Sequence, residues 1–216
     1  MENSIKVVSI VGPTASGKTK LSVELAKHFN GEIVSADSMQ IYSGMQIATA
    51  KPTKAEMDGV PHHMMGFLPP DKTYSVASYV NDASKCIADI HSRGMLPFIV
   101  GGTGLYVDSL LNNISFSDDK RDEEYCSKLR KIGEEDGTDR LLDMLSEFDP
   151  ESAQRLRGGR NIKRIIRAIE FYKTTGKTIT EQIKESHNIP SPYSAVKLGL
   201  NCRDRQVLYD RINRRV

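Results

Sequence analysis

Apolar positions along the chain alternate between short runs and helical spacing. Val7 to Val11 is a compact apolar, β-branched run and predicts a buried strand. Leu21, Leu25 and Ala26 then recur at helical spacing. Gly31 to Asp37, GEIVSAD, predicts a second buried strand that delivers Asp37 at its end. The stretch from Asp37 to Pro52 predicts a loop or a short helix stopped by the proline. VPHHMMGFL, from Val60, has room for a short strand, and PPDKT beyond it reads as a turn. From Ser75 to Gly94 the residues Val76, Tyr79, Val80, Ala83, Ile87 and Ile90 mark one helix face, between a serine N-cap and a glycine stop. LPFIVGGTGLYVDSLLNN, from Leu96, repeats the opening plan of strand, glycine-rich turn and helix. Alternating strands and helices predict a mainly parallel sheet flanked by helices, with ligands at the strands' carboxyl ends.

Between residues 115 and 192 the rhythm changes. No buried strand is evident, and five charged amphipathic segments follow: DEEYCSKLRKIGEE, TDRLLDMLSEFD, PESAQRLR, IKRIIRAIEFYKTTG and TITEQIKESH. YSAVKLGLNCRD then alternates again and predicts a core strand returning to the sheet. The expected organisation is an α/β core made of residues 1–114 and 193–216, with residues 115–192 inserted as a helical subdomain.

Composition narrows the class. The chain has 216 residues, 38% of them hydrophobic and 27% charged, as a soluble globular protein has. No apolar run approaches the roughly 20 residues of a membrane span, and MENSIKVVSIVG enters the first strand with no room for a signal peptide. Cys86, Cys126 and Cys202 are odd in number and widely spaced, which predicts reduced thiols in the cytoplasm and argues against a disulfide framework or zinc site.

A net charge of +2 hides an uneven distribution. Ser117 to Glu151 carries 13 acidic and 6 basic residues; Gln154 to Lys177 carries 8 basic residues against Glu170 alone. The ending CRDRQVLYDRINRRV adds five arginines against two aspartates. Such blocks are either solvated helix faces or contacts for a polyanion, and composition does not choose between them.

The strongest chemical signal is Gly12-Pro13-Thr14-Ala15-Ser16-Gly17-Lys18-Thr19, which fits G-x-x-x-x-G-K-[ST] between a strand and a helix. The glycines allow a tight turn, and the backbone amides that follow point at a phosphate with the positive end of the helix dipole behind them. Lys18 adds a mobile charge, and the Thr19 hydroxyl is the expected protein ligand of a Mg²⁺ bridging phosphate oxygens. Asp37 is expected near this loop, because the second strand is expected to end beside the first; metal ligand, general base and cap of the following turn are its competing roles. Gly101-Gly102-Thr103-Gly104 offers either further donors to the same crevice or a simple tight turn. His62 and His63 face opposite ways on an extended segment, and no partner ligands lie nearby in sequence, so a metal site there is not expected.

Taken in order, GPTASGKT, SADSMQIYSGMQIATAKP, VPHH, YSVASYVNDA, IVGGTGLYVDSLL, KRIIRAIEFYKTTGKTIT and DRQVLYDRINRRV resemble the bacterial tRNA dimethylallyltransferases along the whole chain. The resemblance implies a P-loop NTPase-like fold and a prenyl transfer from dimethylallyl diphosphate to the exocyclic amine of the adenosine 3′ to a tRNA anticodon. It implies that Gly12 to Thr19 grip the departing diphosphate with Mg²⁺, and that Asp37 acts as general base. Thr103 and Arg215 would assist near the reacting groups, Arg215 on the donor diphosphate. Ser38, Met39 and Gln40 would line the path of the base, and Lys163, Arg164, Ile165, Ile166 and Arg167 would contact the anticodon stem-loop. It implies base flipping and salt-sensitive RNA binding. A monomer is expected; the resemblance implies a longer chain, so the sequence ending at Val216 inside an apparent helix is expected either to be truncated there or to lack a C-terminal helical part. A small-molecule kinase, an adenylate isopentenyltransferase and a non-catalytic RNA-binding module are the rival readings.

Overall fold

The computed structural model describes residues 4–47, 49–114, 122–187 and 189–214. The chain divides into two compact units, residues 1–114 with 190–216, and residues 115–189.

The first unit is a P-loop NTPase-like α/β sandwich. Its strands are β1 (Ile5–Val11), β2 (Gly31–Ser35), β3 (His62–His63), β4 (Leu96–Gly101) and β5 (Tyr193–Gly199), and all the pairings are parallel. The sheet order is β3-β2-β4-β1-β5. Helices α1 (Lys18–His28), a single turn α2 (Lys54–Met57), α3 (Val76–Ser92) and α4 (Gly104–Leu111) connect these strands, and α10 (Arg205–Asn213) follows β5. The strand period of two decides which residues face which layer. Ile10, Ile33, Phe98 and Val100 pack with Val23 and Ala26 of α1. Val7, Val34 and Ile99 point the other way, onto Tyr79, Ala83, Ile87 and Ile90 of α3 and Tyr106 and Leu110 of α4. Each such aliphatic side chain contributes about 1.5–3 kcal/mol by leaving water.

Two expectations about this unit are corrected. β2 does not lie beside β1, because β4 is inserted between them. The crossover through α1 therefore skips a strand position, which no local pattern could reveal. β5 does return parallel to β1, but as an edge strand that is mostly exposed, not as a core strand; Val196 keeps 59% of its surface. Alternating apolar residues mark a pleated strand without fixing its place in the sheet.

At the far end of the sheet from the strands' carboxyl ends, Glu32 is almost fully buried and ties three elements together. Arg93 donates to it from the end of α3 at 2.6 and 2.8 Å, and His63 Nε2 lies 2.7 Å from it. The Arg93 hydrogen bonds hold the Glu32 carboxyl at about 2, against a cost of burial and with help from His63.

The second unit contains α5 (Glu123–Glu135), α6 (Thr138–Ser146), α7 (Pro150–Arg157), α8 (Ile162–Thr175) and α9 (Ile179–His187). Their apolar stripes close over one core of Cys126, Leu129, Leu141, Leu142, Leu145, Ile165, Ile166 and Ile169. Side-chain caps begin α5, α7, α8 and α9: Asp122, Asp149, Asn161 and Thr178 accept from the amides of Tyr125, Ser152, Arg164 and Glu181. Asp149 also accepts from Thr180 Oγ1 at 2.6 Å, fastening α9 to the start of α7. No described helix is long and apolar enough to cross a membrane.

Candidate active site

β1 ends at Val11 and the chain turns at once into the phosphate loop. Gly12 has no room for a side chain, since a Cβ there would sit 2.6 Å from the Leu200 carbonyl oxygen. Gly17, at φ 95°, turns the loop into the first turn of α1 through a left-handed conformation that favours glycine. Lys18 Nζ donates to the Gly12 and Pro13 carbonyls at 2.9 and 2.8 Å, so its ammonium is held across the loop it serves. Ser16 Oγ is buried in the loop with no hydrogen-bond partner. A ligand oxygen in the crevice that Ser16 lines would satisfy this hydroxyl.

The loop forms one wall of a crevice of about 450 Å³. Asp37 lies on the same crevice although a strand separates β1 from β2. Its placement rests on close backbone approach. Ala36 N donates to Val100 O at 2.8 Å, Thr103 N donates to Ala36 O at 3.2 Å, and a Cβ on Gly101 would sit 2.1 Å from that Ala36 oxygen. One carboxylate oxygen of Asp37, Oδ1, accepts from the amides of Met39 at 2.9 Å and Gln40 at 3.4 Å. The other, Oδ2, takes no hydrogen bond from a described residue. Asp37 therefore caps its own turn through Oδ1, and this cap does not use Oδ2.

Thr103 sits across from this turn. Its Oγ1 accepts from Ser38 N at 3.0 Å and lies 3.3 Å from Ser38 Oγ. Gln40 reaches along the next loop to the carbonyls of Thr49 and Ala50, each at 3.3 Å, and also lines the crevice. Met39 projects outward, half exposed. Thr19 lines the crevice beside Lys18. Arg215 lies outside the described residues.

Sequence reasoning missed several groups here. His62, Glu56, Lys20, Arg211 and Arg214 all line the crevice. Burial pushes the His62 imidazole down, partly opposed by its hydrogen bond to the Val60 carbonyl. The arginine-rich ending signalled the last two by charge, and their spacing of three put them on one helix face; nothing local said which way α10 turns.

Within the second unit, Lys163 and Arg164 are exposed at the start of α8. Ile165 and Ile166 are not surface residues: both are buried in the helical core, at 0% and 3% exposure. Their expected place on an RNA-facing surface is corrected, because a contiguous stretch of helix must turn some side chains inward. Arg167 is half-buried, paired with the buried Glu170 and stacked over Phe171 at 5.6 Å.

A profile of the family described as IPP transferase matches residues 40–216, and one described as isopentenyl transferase matches residues 5–65. The chain belongs to the IPP transferase family. A tRNA dimethylallyltransferase of Oceanobacillus iheyensis is 50% identical over 97% of this chain and 66% of its own. Among solved structures of the family, the full-length tRNA isopentenylpyrophosphate transferase of Bacillus halodurans is 47% identical, with a TM-score of 0.62 over 97% of this chain and 64% of that one. A eukaryotic dimethylallyltransferase captured acting on tRNA is 32% identical, with a TM-score of 0.78 over 98% of this chain and 53% of its own. This chain thus spans about two thirds of the length of the curated relatives it matches.

Proposed function

We propose that the protein transfers a dimethylallyl group from dimethylallyl diphosphate to the N6 amine of the adenosine 3′-adjacent to a tRNA anticodon. The observation that carries this reading is the free Oδ2 of Asp37 on the same crevice as the phosphate loop. The names of the relatives supply the substrate class.

The amides of the phosphate loop and Lys18 bind the diphosphate and stabilise the charge that grows as the allylic carbon–oxygen bond breaks. The N6 nitrogen forms the new bond to that carbon, and the diphosphate leaves with the electron pair. An adenine amine is a poor nucleophile because its lone pair is spread into the ring. Asp37 Oδ2 takes its proton as the bond forms. Thr103 positions the Asp37–Gln40 turn through Ser38. Arg215 adds charge at the donor.

The donor set suits Mg²⁺. Thr19 and Ser16 both line the crevice, and their hydroxyls are hard oxygens of the kind that would hold such an ion. Thr19 would hold such an ion, which would supply charge neutralisation for the diphosphate. Lys163 and Arg164 of the helical unit hold tRNA phosphates, and the protein acts as a monomer.

Mass spectrometry of tRNA after incubation with dimethylallyl diphosphate and Mg²⁺ tests the proposal. The expected product is tRNA heavier by one dimethylallyl group on that adenosine. Prenylation of AMP with unmodified tRNA, or phosphoryl transfer from labelled ATP, would replace this reading with the nucleotide prenyltransferase or the kinase.

A further inference from the structure

We propose that Arg211 and Arg214 form a second cationic wall of the crevice and make it select a diphosphate over a single phosphate. This inference rests on the proposed donor site and names residues in it that neither the phosphate-loop motif nor Arg215 covers.

The phosphate loop and Lys18 hold a phosphate group from one side of the crevice and leave its other side open to a second set of donors. Arg211 and Arg214 line the same crevice from α10, three residues apart on one helix face. No described carboxylate forms a salt bridge with either guanidinium. Arg214 Nε lies 3.4 Å from the Asp210 carbonyl oxygen, and Arg211 Nη1 lies 3.9 Å from Cys202 Sγ. Both therefore keep donors for an anion, and Arg side chains suit phosphate oxygens because of their planar fork.

The chain leading to α10 is fixed to the loop it would oppose. Leu200 N donates to Val11 O at 2.8 Å, and the Leu200 carbonyl fills the space where Gly12 would carry a Cβ. The two walls are thus held in register through Leu200. Lys18, Lys20, Arg211 and Arg214 against Asp37 and Glu56 give the crevice a surplus of positive charge. A diphosphate, longer and more highly charged than orthophosphate, reaches both walls.

Titration calorimetry of the 216-residue chain with inorganic diphosphate and with orthophosphate, each in Mg²⁺, measures the selectivity directly. Arg211→Gln and Arg214→Gln together are expected to weaken diphosphate binding about tenfold or more while leaving orthophosphate within about twofold. Arg211→Lys with Arg214→Lys is expected to recover part of the loss. Circular dichroism melting confirms that the variants fold; both positions are exposed. An unchanged ratio of the two affinities, or equal weakening of both, overturns the inference. Lys18→Ala separates the two levels. If it fails to weaken either anion, the donor site itself is misplaced; if it weakens both while the arginine variants do not alter the ratio, the second wall alone is wrong.

Discussion

The amide of Ser38 donates to Thr103 Oγ1 at 3.0 Å, joining two turns that lie 65 positions apart in the chain. One turn carries Asp37 and the other opens α4, so this bond joins the backbone contacts of Ala36 in tying the carboxylate's turn to the start of α4. Thr103→Val keeps the shape and removes the acceptor, leaving a half-buried amide unsatisfied. The expected cost is about 1–3 kcal/mol of stability, read by thermal melting, with a fall in turnover larger than that in donor affinity. Thr103→Ser should restore both. Equal turnover for the valine and serine variants would show that the bond positions nothing.

Asp37→Asn separates capping from proton transfer. The amide oxygen can still accept from Met39 and Gln40, so melting temperature and tRNA affinity should stay close to wild type. Single-turnover transfer should fall by about 10²- to 10⁴-fold, the range of a lost general base. Retention of full transfer activity would remove the base from the mechanism.

Glu32 gives stability a definite pH dependence. Its carboxyl is lowered from 4.5 to about 2, so the folded state is favoured above the unfolded value and that advantage drains away as pH falls from about 4.5 to about 2. The advantage at neutral pH is on the order of 3 kcal/mol. Glu32→Gln should therefore lower the melting temperature at pH 7, and the gap should narrow steadily in acid. A gap of constant size from pH 7 to pH 3 would assign the effect to packing instead.

Lys163→Ala and Arg164→Ala are expected to weaken tRNA binding without touching diphosphate affinity. Each should reduce the slope of log affinity against log salt by about 1, as the loss of one phosphate contact does. Filter binding across a salt series measures this. Unaltered slopes in both variants would leave that face merely solvated.

What could be read from the sequence was what short segments determine by themselves. The phosphate loop, the strands on either side of α1, and the cap at Ser75 of α3 all follow from local chemistry. Asp37 could be placed near the loop, but by the wrong route: β4, not β1, is the neighbour of β2. The crevice survives because parallel strands all deliver their carboxyl ends to one edge of the sheet. Ile165 and Ile166 were misplaced because the resemblance carried over a contiguous segment, Lys163 to Arg167, whereas a helix divides any such segment between two faces. Arg211 and Arg214 could not be assigned because their position depends on the direction α10 takes after Leu200.

The insertion of β4 between β1 and β2 has a consequence for the proposed reaction. The phosphate loop continues β1 and Asp37 continues β2, so two inter-strand intervals, about 10 Å, lie between their points of departure. A five-carbon allylic unit and the purine nitrogen that captures it are of a size to fill that gap. In the proposed reaction the proton taken by Asp37 and the diphosphate released at the phosphate loop would be received at separate edges of the crevice.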